Sequence, residues 1–282
     1  MPVLPSSLTE PLWAQFATLL PNRPEFDPTH PLGCHRRRIP DRVVFDLVLA
    51  ALVHGSGLER IAVPGCSDRT IRRRLHAWAA AGIGHDVFAQ ALVAYDTMIG
   101  LDLTDVSVDG SITKAVGGGE CAGRSPVDRG KGGTKRSVLV DAAGIPLHVE
   151  IAGANCHDSP LLAPTLAGLS ALGPLPEQVT VHLDAGYDSK NTRALLMELG
   201  LQGRIAIKGV KAPIQVGKRW PVERTHAWMN GFGKLRRITE RSRAVVQFYT
   251  DLAAAITVLR RLVNEARKRY RWPGRPTTRR LR

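Results

Sequence analysis

The chain has 282 residues, 44% of them hydrophobic, enough for one large domain or two ordinary ones with a sizeable core. That composition excludes a disordered chain, and no run of about 18 apolar residues offers a membrane span. The net charge of +14 is uneven: +1 over residues 1–100, −4 over 101–200 and +17 over 201–282. A basic end of this size points to a polyanion partner, most often nucleic acid, because each neutralised phosphate releases counterions. The start "MPVLPSSLTEPLW" lacks the basic-then-apolar order of a signal peptide. Cys34, Cys66, Cys121 and Cys156 form no CxxC pair, so reduced thiols in a cytoplasmic protein are expected.

The first third reads as helical. Leu8–Pro21 carries Thr9 as the expected cap, with Pro11 soon after. Asp41–Gly57 is a mostly apolar helix closed by glycines. Ser67–Gly82 opens on Ser67-Asp68, and Ile71, Leu75 and Trp78 recur at helical spacing. The segment "GLERIAV", a turn at Pro64-Gly65 and this Arg-rich helix together resemble a helix-turn-helix. In that reading Arg72, Arg73 and Arg74 meet DNA phosphates. The other reading is an amphipathic helix with a solvated basic face.

From about Leu103 the period shortens. "LTDVSVDGS", "KRSVLVDAAG", "IPLHVEIAG" and "VTVHLDAG" are β-branched, glycine-bounded segments that predict strands, with "DAAG" as a hairpin turn. Helices are expected at Ser159–Leu172 and Ser189–Gly200, a further strand at "GRIAIKG", and a long helix at about Ala244–Tyr270. The order is mixed α/β. Residues 116–136 read as a glycine-rich basic loop, in which Lys131, Lys135 and Arg136 either hold DNA backbone or are merely solvated. The tail 271–282 is Pro- and Arg-rich and expected to be disordered.

Asp109 is expected to end one strand and Asp184 another, each before a glycine turn. An aspartate at a strand end is commonly a turn former. Two of them also fit an open-sheet site, where ligands sit beyond strand ends. Glu223 is the lone acid in "KRWPVERTHAWMNG". It could serve as a first-turn acid complementing the helix dipole. It could equally join the two aspartates, and three hard oxygen ligands suit Mg²⁺ or Mn²⁺. His157-Asp158 reads as a helix start before Pro160. His182 shares a strand face with Asp184. Trp220 and Trp228 either pack or stack on unpaired bases.

The segments "SVDGS", "GRSPVDRGKGGTKRSVLVDAAGIPL", "GANCHDSPLL", "HLDAGYDS" and "RWPVERTHAWMNGFGKLRR" closely resemble the DDE transposases of bacterial insertion sequences, nearest to the insertion-sequence-five type. The resemblance implies an RNase H-like mixed sheet flanked by helices over 101–270, preceded by an all-helical DNA-binding region over 1–100. It implies Mg²⁺- or Mn²⁺-dependent cutting and joining of DNA ends with two ions. Asp109, Asp184 and Glu223 match the three acids, Arg219 matches the arginine four before the glutamate, and His157-Asp158, otherwise a helix start, resembles the family's His-Asp pair after the third strand. The family's tyrosine position falls at Val216 and its lysine position at Asn230, so both depart from the signature. Lys234 lies eleven residues after Glu223, on nearly the same face of an unbroken helix, a placement lost if Gly231 and Gly233 break it, and Arg224, Arg236 and Arg237 add basic charge nearby. The implied partners are terminal inverted repeats and target DNA, with a homodimer or larger assembly and no membrane. The implied location is the bacterial cytoplasm, at the nucleoid. A non-catalytic helix-turn-helix protein and an inactive transposase remnant are the alternatives.

Overall fold

The structure is a computed structural model that describes residues 3–22, 26–27, 29, 37–207 and 220–270. The expected tail 271–282, Cys34, Val216 and Arg219 lie outside the described residues.

Five helices come first: α1 (Ser6–Thr18), α2 (Asp41–His54), α3 (Leu58–Ile61), α4 (Asp68–Ala80) and α5 (Ile83–Met98). Thr9 does not cap α1. The helix starts earlier, at Ser6, and the Thr9 hydroxyl bonds back to the carbonyls of Leu4 and Pro5. Ser67 caps α4 as expected, accepting from the Thr70 amide. α2 ends on Gly55 in the left-handed conformation, φ +72°.

The strands are β1 (Asp105–Ala115), β2 (Gly123–Arg124), β3 (Gly132–Val140), β4 (Pro146–Gly153), β5 (Thr180–Leu183), β6 (Gln202–Ile205) and β7 (Arg237–Ile238). β4, β3 and β1 form an antiparallel meander, and β5 and β6 continue it in parallel beyond β1. That is the strand order of an RNase H-like sheet. The β3–β4 turn is the "DAAG" hairpin, closed by bonds between Asp141 and Ile145, with Gly144 at φ +76°. Two expectations change here. Residues 132–136 are strand rather than loop, because β1 runs on to Ala115 and pairs with them. For the same reason Asp109 lies inside β1, not at its end.

Helices α6 (Asp158–Ala167), α7 (Lys190–Glu198), α8 (Trp220–Asn230), α9 (Gly233–Arg236) and α10 (Arg243–Arg269) complete the fold. Residues Gly133–Val140 of β3 are all buried, as expected of a strand covered on both faces. Alternation sends Lys135 and Arg136 to opposite faces. Lys135 meets Asp158 of α6, and Arg136 meets Asn230 of α8. One apolar core runs through both the helical third and the sheet, joining Phe16, Phe45 and Trp78 to Phe248 of α10 and to Val108, Val138 and Val181.

The glycine pair Gly231 and Gly233 ends α8 at Asn230, so Lys234 belongs to the separate helix α9. The tight spot is the contact between α2 and α9. A Cβ on Gly233 would fall onto the backbone of His54 and Gly55. Gly233→Ala is expected to cost at least about 2 kcal/mol, read as a lower urea midpoint at constant slope.

Candidate active site

β5 stops at Leu183, while β1 continues past its last partner of β5, Ser107. The step so formed lies beyond the carboxyl end of β5, the kind of open-sheet position where ligands sit. Asp109 stands on the β1 side of the step and Asp184 directly after β5. Glu223 comes from the first turn of α8, which packs over β1 and β3. Asp109 pairs across the ladder with Val138, so it shares a sheet face with Arg136 and looks toward α8.

Electrostatics put Asp109 within reach of the charges of Glu223 and Asp184. Burial, then the charge of Glu223, then that of Asp184 and Asp158, push the Asp109 carboxyl up to about 7 from 3.8, against one stabilising bond from the Gly110 amide. Asp184 is half-buried and caps the short turn Ala185–Tyr187, accepting from the Gly186 amide at 2.8 Å. Glu223 is exposed.

His226, one turn after Glu223, was not singled out by the sequence. It is 4% exposed, and its Nε2 stands 4.0 Å from Asp109 Oδ2. Burial and the nearby Arg136 charge hold its ring down to about 4, so it is neutral. His182, by contrast, is fixed by Asp105 at 2.7 Å.

The cluster is all carboxylate, the donor set of a hard divalent cation. The charges of Glu223 and Asp184 raise the protonation of Asp109, as like charges beside a buried acid do. Both features fit Mg²⁺ or Mn²⁺ on Asp109, Asp184 and Glu223. Among the described residues no three His, Cys, Asp or Glu side chains already converge at ligand distance.

The basic residues divide into two groups. Arg73, Lys131, Arg236 and Arg237 are exposed, and so is Arg72, which pairs with Glu59 at 2.9 Å. Four others turn inward, against expectation. Arg74 is 3% exposed and bonds Asp41 and the Ile39 carbonyl. Lys135 pairs with Asp158 at 3.0 Å. Arg136 is fully buried on Thr113 and Asn230, and desolvation holds it down to about 10. Lys234 is held by Glu240 at 2.5 Å and by Thr239. Each is a buried cation that the fold itself must compensate, so none presents its charge to DNA. Asn230, the departure from the signature, is thus the acceptor for a buried arginine. Arg224 is half-buried, bonded to the Ala143 carbonyl and stacked between Trp220 and Trp228 at 4.4 and 4.8 Å. The two tryptophans therefore hold Arg224 between them.

A family model described as "Transposase DDE domain" matches residues 100–258. The chain belongs to the transposase DDE domain family. Over 125 residues it is 37% identical to a Burkholderia cepacia relative named "Putative transposase for insertion sequence element IS402". That match covers 42% of this chain and 59% of the relative, so the chain spans less than two thirds of the relative's length. Among solved structures, the Mos1 strand transfer complex is weakly similar, with TM-score 0.31 and 13% identity over 86% of this chain and 80% of that one. The Mos1 mariner paired end complex with Mn gives 0.27 and 12%, over 90% and 86%. The match to the DDE domain includes Asp109, Asp184 and Glu223 within its span.

The raised Asp109 pKa has a sign. The folded chain holds a proton that the unfolded chain releases between about pH 4 and pH 7, so stability from this group is full below that window and falls as pH rises through it. Without divalent cation, Asp109→Asn is expected to stabilise the protein on the order of 1–3 kcal/mol at about pH 8. It should change little near pH 4. Melting curves at the two pH values check this.

Proposed function

We propose that this member of the transposase DDE domain family cuts DNA at the ends of its element and joins them to target DNA. Asp109, Asp184 and Glu223 carry the reaction with two Mg²⁺ or Mn²⁺ ions. The observation that supports this reading most is the coupling of Asp109 to Glu223 and Asp184 across the step between β1 and β5. Divalent ions bound there would activate the attacking oxygen and stabilise the leaving one.

The chain's own residues do the rest. Asp109 is set by the sheet and cannot drift. Asp184 is oriented by the Gly186 amide, and Glu223 rides on a helix tied to the hairpin by Thr225 on Gly144 and Arg224 on Ala143. The acids repel a phosphodiester until cations neutralise them, so DNA enters on positive charge elsewhere. Arg73, Lys131, Arg236 and Arg237 present that charge, and Arg219 belongs with them by its place in the signature. Residues 1–100 form the helical DNA-binding region in this reading, 101–270 the catalytic one, and the partners are inverted repeats and target DNA held by two or more copies.

The decisive assay mixes purified protein with duplex DNA bearing the element ends and Mg²⁺. Asp109→Asn is expected to reduce strand cleavage by at least about 10²-fold while keeping DNA binding. Undiminished cleavage would sink the assignment. Binding without cleavage by the wild type identifies the non-catalytic alternative.

The exposed arginines have a separate test. Arg236→Gln and Arg237→Gln are each expected to weaken binding alike for all sequences and to reduce the salt slope by about one. Titrations at several salt concentrations read both effects.

A further inference from the structure

Asp158 looked like an ordinary helix start, and it is the first residue of α6. Its carboxylate nonetheless leaves the helix. Oδ1 stands 3.0 Å from Lys135 Nζ, and Lys135 is 5% exposed. A Cβ at position 110 would fall onto that same oxygen, so the glycine that follows Asp109 is what admits the carboxylate. Asp158 thus sits on the α6 face of β1, over the residue next to Asp109, and its charge is the last of those that bear on Asp109. A second observation lies at the same place. The Tyr187 phenol is buried, and burial, then the charges of Asp158, Asp109 and Asp184, push it up, while a bond with Ser137 lowers it. The same buried phenol lies within reach of the charges of all three acids.

We propose that Asp158 is a positioning residue of the divalent-cation site, adding its negative charge beside Asp109 while Lys135 fixes it in place. This rests on the reading that Asp109, Asp184 and Glu223 hold the cations. A helix-start acid with no further role requires neither a glycine at 110 nor a buried lysine partner. Outer carboxylates of this kind orient a metal site and are worth about 10–100-fold in metal affinity. The side chain is 37% exposed, so its outer oxygen stays open to solvent while the inner one is held by Lys135.

The test is calorimetric titration of Mn²⁺ into the purified full chain, with thermal melting alongside. Asp158→Asn is expected to weaken Mn²⁺ binding about tenfold or more. It also strands Lys135, so its melting temperature should fall. The double variant Asp158→Asn with Lys135→Met removes the whole ion pair. It should recover much of the melting temperature and still bind Mn²⁺ weakly. Wild-type Mn²⁺ affinity in either variant overturns the proposal. Asp109→Asn is the control: if it leaves Mn²⁺ binding unchanged, or the wild type binds none, the underlying site assignment fails and this proposal with it.

Discussion

The site is organised around one costly feature, an ionisable carboxyl on a sheet that helices cover on both faces. Asp109 cannot be solvated as a surface acid is, and its nearest charges are of its own sign. Like charges in a low-dielectric setting repel strongly, and burial alone disfavours the ionised form. Among the described residues no lysine or arginine forms a direct salt bridge with it. The fold places a neutral histidine at 4.0 Å and a glycine amide on the carboxylate, and keeps its nearby cations one layer back. An acid left uncompensated in this way is primed for an external cation.

The internal cations follow from the same constraint. Lys135 and Arg136 are neighbours on β3 and point to opposite faces of the sheet. On one face Lys135 meets the carboxylate of Asp158. On the other, Arg136 meets only neutral acceptors, Thr113 and Asn230, and burial lowers its pKa. A lysine at 230 would set a second charge against Arg136 in a buried space. Asparagine supplies an acceptor without that repulsion, which gives the departure from the related signature a local physical reason.

Much of this was legible in the sequence, and the rest was hidden for a common cause. The strands at "DVSVD" and "TVHL", the hairpin at "DAAG" and the long last helix are local patterns, and each formed within a few residues of its expected place. Asp109 and Asp184 could be singled out because alternation assigns a strand residue to a face. The direction of Arg74, Lys135, Arg136 and Lys234 could not be read. Charged residues in a basic protein are expected outside, and each of these is buried by a partner distant in sequence or across a chain reversal: Asp41, Asp158, Asn230 and Glu240. His226 was missed because a histidine three after a glutamate carries no signal until β1 is known to pass beneath α8. The end of α8 was legible, since paired glycines break a helix, and that break removed Lys234 from Glu223's face.

The glycine contact between Gly55 and Gly233 joins these observations. It sets the end of α2 against the residue that starts α9, directly after the helix that carries Glu223. α10 reinforces the arrangement, packing against α5 and α4 on one side and β4 on another. The helical third is therefore a wall of the same core that fixes the acids, not a module on a tether. Arg73 on α4, one of its exposed arginines, stands in a set geometry relative to the acids. A duplex that touched both would be positioned along its length by the fold before any base was read, since phosphate contacts fix register without carrying sequence.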